Sequence, residues 1–260
     1  MGQAVFSRGW PVALLAVCAA VSLLGTGAAI AMGLALFLAG FAHGAGDEQA
    51  GTLRPFALAP AAAYVMAGLA VAALFLALPL AGLTLFLLLS LWHFARSGRG
   101  DGIGRAAFAC LAVGGSALLR MDETSSVFAA LLGLAPPRGW MLALAATGAA
   151  GMALSVATFV RGRFDPSLAA TLVAVAQLHP VLAVGFAFAV GHAFPLQGSQ
   201  IRRYGWRDVI AAQGPTASIA LLGALAMAAL VLSGHLPLPW AAALAFGMAT
   251  PHMLSERLER

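Results

Sequence analysis

Apolar residues run along this chain in long stretches, interrupted by short polar breaks. Nine stretches can be marked, at 10–25, 29–43, 56–77, 80–95, 103–119, 140–160, 168–194, 209–232 and 236–254. A membrane-crossing helix needs roughly 20 apolar residues, with shorter ones at the edges of bundles. The pattern therefore predicts an all-α fold, a polytopic membrane helix bundle of seven to nine transmembrane helices, with eight as the central value. One integral membrane domain is expected to cover residues 1–260. The breaks include LRPF, RSGRGDG, the long connection from RMDET to APPRGW, RGRFDPS and PLQGSQIRRYGWRD. Within the long connection, SSVFAALLGLA reads as a short interfacial or re-entrant helix. Trp10, Trp92, Trp140, Trp206 and Trp240 all fall near proposed span ends, where an amphipathic indole rests comfortably. Arginines lie on both sides of the count, so the charge distribution sets no orientation.

Composition narrows the class. The chain is 62% hydrophobic and only 9% charged, whereas soluble domains are about a quarter charged. A soluble fold of this length is excluded, and the expected location is the cell membrane. The net charge of +5 is spread over short loops, which fits anionic headgroups and not a nucleic acid. Cys18 and Cys110 sit inside apolar runs and read as buried apolar side chains. The N-terminal apolar run after Arg8 has the outline of a signal peptide, but further spans follow at once, so a retained first helix is expected.

Histidine carries the candidate chemistry, because polar groups inside a membrane domain are costly and need partners. His43, His93, His179, His192 and His252 lie within or at the ends of apolar stretches, while His235 sits in an ordinary turn. In AGFAHGAGDEQ, Asp47 falls one helical turn beyond His43, where a carboxylate could hold the outer nitrogen of a ligating imidazole. The same residues read equally as an interfacial histidine with an acidic neighbour. In LLLSLWHFARSG, His93 lies between Trp92 and Phe94, with Ser90 near enough to hydrogen-bond locally, and it too has an interfacial reading. His192 follows Gly191 and precedes Pro195, which is expected to end its helix. His252 follows Pro251, so a plain helix is not expected there, and Thr250 and Ser255 could orient it. His179 is followed by Pro180 and stands thirteen residues before His192, about 20 Å along a straight helix. One metal could not take both unless the segment folds back. Neutral imidazoles from separate helices suit a ferrous site, and no CxxC, HxxxH or dinucleotide glycine loop is present.

Four short blocks, in order along nearly the whole chain, resemble the bacterial Brp/Blh-type beta-carotene 15,15'-dioxygenases. FAHGAGDE resembles the family's HGAxD block, LLLSLWHFA its WHF block, FAFAVGHAFP the later histidine helix, and ATPHMLSERL the terminal PHM block. The resemblance implies a helical membrane fold, a non-haem Fe(II), molecular oxygen and central cleavage of beta-carotene to retinal. It implies His43, His93 and His192 as metal ligands and His252 as a further ligand or a residue just outside the ligands, with Asp47 orienting His43; Ser90 and Thr250, read from the local sequence, are the candidates to support His93 and His252. Its implied partners are beta-carotene or a related apolar polyene, oxygen, the lipid bilayer and a retinal-accepting membrane protein. The chain departs from the family pattern in several places. Leu196 stands where a second histidine is usual, Gly191 where tryptophan is, ARSGRGD follows the WHF block in place of acidic residues, and Glu48 follows Asp47. A noncatalytic carotenoid- or retinal-binding protein, or a small transporter with a histidine-lined site, fits the same apolar histidines.

Counting crossings raises a conflict. It puts His43 and His93 at one membrane face and His192 and His252 at the other, too far apart for one ion across about 30 Å of hydrocarbon. One additional or missing crossing between Ala95 and His192, at SSVFAALLGLA or at Pro180, would remove it.

Overall fold

The computed structural model describes residues 9–44, 48–49, 52–53, 58–97 and 101–258. The helices among them are α1 (Trp10–Ser22), α2 (Thr26–Gly44), α3 (Leu58–Ala77), α4 (Pro79–Ser97), α5 (Gly102–Leu119), α6 (Met121–Leu132), α7 (Arg138–Val160), α8 (Pro166–Gln177), α9 (Pro180–Phe188), α10 (Phe194–Tyr204), α11 (Trp206–Leu232) and α12 (Leu238–Leu258). A π-helical turn, Ala189–Ala193, joins α9 to α10. Two short strands, β1 (Glu48–Gln49) and β2 (Thr52–Leu53), pair antiparallel. Among the described residues, five helical segments are long and apolar enough to cross a membrane: Pro79–Arg96, Gly102–Leu119, Arg138–Val160, Pro180–Tyr204 and Trp206–Leu232. The chain is a multi-pass integral membrane protein, helical apart from that short strand pair and the connecting turns. Four further apolar helices are shorter, and the predicted seven to nine crossings are reached only by counting such helices as spans. The expected short helix in the long connection is α6, whose first turn carries Asp122 and Glu123, a favourable place for negative charge on the helix dipole.

Two compact units interleave along the chain. The first comprises Met1–Gly40, Leu91–Val127 and Pro136–Gly198. In it α5 packs along α7, at a separation that only small residues allow. A Cβ on Gly114 would collide with the Leu144 carbonyl, and one on Gly148 with the Gly114 carbonyl. Asp101 caps α5 by accepting from the Gly104 N–H at 2.8 Å, and Asp165 caps α8 by accepting from the Ser167 N–H at 2.8 Å. Leu168 and Ala187 complete a core with Phe108 and Leu111 of α5.

The stretch at 168–194, predicted as one span, is two helices running in opposite directions. An ion pair from Asp101 to Arg163 fastens the start of α5 to the turn before α8. At the other end, Arg120 Nη1 donates to the Gln177 carbonyl at 3.0 Å. Helices α5 and α8 therefore run the same way. The chain then turns: Leu178 is extended at φ −93 and ψ 154, His179 caps α9, and Pro180 opens it. Proline suits that first position, since its missing N–H would have no helical partner there. Helix α9 returns along α8, bringing Gly191 against Phe108 in the first half of α5. This reversal returns the chain to the end of α5 where His93 lies, the change of direction between Ala95 and His192 that the histidine count required.

The second unit comprises Phe41–Ser90, Phe128–Ala135 and Ser199–Arg260. Helix α12 packs on α3, with the Tyr64 hydroxyl donating to the Met248 carbonyl at 2.6 Å. Phe246 lies against Phe75 and Phe86, with ring centroids 5.5 and 4.3 Å apart. Contrary to expectation, α12 stays helical through Pro251. Tyr64 takes the Met248 carbonyl, and the Thr250 hydroxyl donates to the Phe246 carbonyl at 2.8 Å. Side chains thus engage the backbone beside the proline, which is how membrane helices accommodate one. In the same unit Gln213 donates to Gln200 at 2.9 Å, both buried.

Candidate metal centre

His93 lies near the C-terminal end of α4, whose run from Pro79 is apolar apart from Thr84 and Ser90. Arg96, in its last turn, stacks over Trp92 at 5.3 Å. His192 lies on the π-helical turn. There the Phe194 N–H reaches back five residues to the Ala189 carbonyl. The expectation that Pro195 ends this helix is not met. Proline in a regular helix clashes with the carbonyl four residues earlier, and the wider π turn just before it loosens that contact, so the helix continues to Tyr204. Single π turns of this kind are frequent at functional sites.

The two imidazoles meet inside the first unit. Nε2 of His93 is 3.0 Å from Nε2 of His192, and the rings cross edge to face with centroids 4.5 Å apart. His93 is 4% exposed and His192 3%. Apolar rings surround the pair: Phe94 and Phe188 lie 5.4 and 5.8 Å from the His192 ring. Phe37 stacks on Phe188 at 5.4 Å, and Phe108 meets Phe94 edge-on at 6.1 Å. Desolvated polar groups are costly unless they are satisfied. Here each Nε2 is satisfied by the other through one shared proton, or both are satisfied by one metal ion. The distance fits both: 3.0 Å is an ordinary hydrogen-bond separation, and two ligands that far apart, each about 2.1 Å from an ion, subtend an angle of about 90°. Both residues are able to coordinate a common ion. Imidazole donors suit iron as well as zinc, copper and nickel.

The other predicted positions are distributed as follows. His43 lies in the last turn of α2, and its side chain is outside the described residues, as is Asp47 altogether. His252 is on α12, half-buried, in the second unit with Thr250 and Ser90. The Ser90 hydroxyl donates to the Phe86 carbonyl at 2.8 Å and lies 3.6 Å from the Met253 sulfur. His179 Nδ1 accepts from the Val181 N–H at 3.3 Å, and its burial lowers its pKa below the usual histidine value. His235 is exposed and pairs with the Ser233 hydroxyl at 2.9 Å. Sequence reasoning missed Phe37, Phe108 and Phe188, because phenylalanine in an apolar run carries no positional signal.

A family model described as Beta-carotene 15,15'-dioxygenase matches residues 34–257. No curated protein and no solved structure is similar enough to the chain to match it.

Proposed function

Because the chain belongs to the beta-carotene 15,15'-dioxygenase family, we propose that it cleaves the central double bond of beta-carotene, or of a similar carotenoid, to retinal, using non-haem Fe(II) and molecular oxygen. The observation that carries the reading is the buried His93–His192 pair within a ring of phenylalanines. His93 and His192 would hold the iron. His43 and His252 are further ligands on the strength of the resemblance, with Asp47 on the outer nitrogen of His43 and Ser90 and Thr250 supporting the site. Bound Fe(II) supplies the activation of oxygen. The reaction balances without another reductant: one carbon–carbon double bond breaks, and the two oxygen atoms become the two aldehyde oxygens.

The aromatic residues around the pair do the positioning. Phe94 and Phe188 offer apolar ring faces beside His192, suited to an uncharged polyene and unfavourable to water. The substrate and product are both lipid-soluble. Entry from the bilayer and release to lipid, or to a retinal-accepting membrane protein, need no aqueous path.

The test is purified protein in detergent, loaded with Fe(II) and given beta-carotene and oxygen, with retinal followed by chromatography and mass. His93→Ala is the control. Retinal formed by the unchanged protein alone is the expected result. Intact beta-carotene despite bound iron refutes the substrate. Intact beta-carotene without bound iron turns the reading to carotenoid or retinal binding, or to transport.

A further inference from the structure

Two helices bring the paired histidines together, and one side chain touches the neighbours of both. Phe108 of α5 meets the ring of Phe94, the residue after His93, at 6.1 Å. It also fills the space beside Gly191, the residue before His192, so closely that a Cβ there would collide with the ring. Phe108 is 6% exposed and is packed with Leu111, Leu168 and Ala187. A ring held on all sides cannot swing away cheaply, since overpacked cores strain instead of yielding. Helix α4 is tied to α5 close by, where Arg105 Nε donates to the Ala95 carbonyl at 3.1 Å. The π turn that carries His192 lacks regular helical spacing, so its position against α5 depends on what it rests on.

We infer that Phe108 is a positioning residue for the metal centre: its ring, seated on Gly191 and against Phe94, sets the separation of the His93 and His192 nitrogens. Gly191 is then the necessary partner of Phe108, and the two act as one unit. This inference rests on the metal-centre reading above. Groups that fix metal ligands from outside the coordination sphere are worth about 10–100-fold in affinity.

The test is a double-mutant cycle on the full-length protein in detergent, read by metal binding and not by turnover. Wild type, Phe108→Ala, Gly191→Ala and the double variant are titrated with Co(II) anaerobically. Its absorption bands report affinity and ligand geometry together. Folding is checked by circular dichroism, and Phe108→Leu replaces Phe108→Ala in the cycle if the smaller residue does not fold. Each single change is expected to weaken Co(II) binding by about 10–100-fold and to shift the bands. Gly191→Ala is expected to cost little once Phe108 is already gone, because the clash has been removed. Equal costs of Gly191→Ala in both backgrounds, or wild-type affinity and bands in the single variants, overturn the inference while leaving the metal centre standing. A wild-type protein that binds no Co(II) and no Fe(II) overturns the metal-centre reading and this inference with it.

Discussion

Removing the His192 imidazole gives a two-part signature. In the metal-free protein His192→Ala deletes a buried hydrogen bond of 3.0 Å to His93, worth about 1–3 kcal/mol when the remaining group stays buried. With metal the difference widens. Fe(II) at 100 times its dissociation constant stabilises the wild-type fold by about 2.7 kcal/mol through linkage. A lost ligand that weakens binding about 100-fold leaves the same iron concentration only equal to the new dissociation constant, and linkage then supplies about 0.4 kcal/mol. The chain carries its own reporter. Cys18 is fully buried and Cys110 only partly so, so with Cys110 replaced by serine in every variant the reaction of Cys18 with a fluorogenic maleimide during a thermal ramp marks unfolding. Iron should raise the midpoint clearly in the wild type and barely in His192→Ala. An equal rise in both proteins would remove His192 from the metal site.

Other expected outcomes follow from the scaffold. Gly148→Leu pushes a side chain into the Gly114 backbone and should cost about 1–3 kcal/mol, seen as a lower midpoint in the same thiol assay; an unchanged midpoint would mean that α5 and α7 are not this close. Asp101→Ala removes the α5 cap and the pair with Arg163, about 1 kcal/mol for the cap and less than about 1 for the exposed pair. Restoring only the cap with Asp101→Ser should recover most of the lost midpoint, and no recovery would put the cost in the ion pair. His179 has a folded pKa below its unfolded value, chiefly because it is buried. The unfolded chain therefore binds the proton more readily, and the stability His179 contributes is present above about pH 6.5 and is lost as pH falls below it. The midpoint of the wild type should drop between pH 7.5 and 5.5 more than that of His179→Gln, and equal drops would refute the assignment.

Much of the architecture could be read directly. Trp10, Trp140, Trp206 and Trp240 stand at or near the starts of α1, α7, α11 and α12, and Trp92 near the end of α4, because an indole belongs at the membrane boundary. The reversal at His179–Pro180 was visible only as a possibility. Leu178 and Val181 flank it, so hydropathy passes through the turn unbroken, and what holds the end of α8 just before the turn is Arg120, far away in sequence at the end of α5. A local rule reads Pro195 as a helix end and expects no plain helix at Pro251. In the fold the π turn before Pro195 loosens the backbone, and Tyr64 and Thr250 take carbonyls next to Pro251. For the site, His93 and His192 stood out as polar groups in apolar surroundings, which is a composition signal. Their meeting depends on Phe108 and Gly191, and no single-sequence pattern marks a phenylalanine that rests on a glycine from another helix.

The shortness of α8 has a consequence for how the protein is made. Its 12 residues extend about 18 Å, well short of the roughly 30 Å hydrocarbon core. During synthesis such a segment is a poor independent substrate for the insertion machinery, and its exposed turn would carry bare backbone groups into lipid. In the fold it is supported by α9, packed along it, and by Arg120 at the end of α5, which takes the Gln177 carbonyl, so that support needs α5 to be in place. The order of helices along the chain, with α5 emerging before α8, meets that requirement.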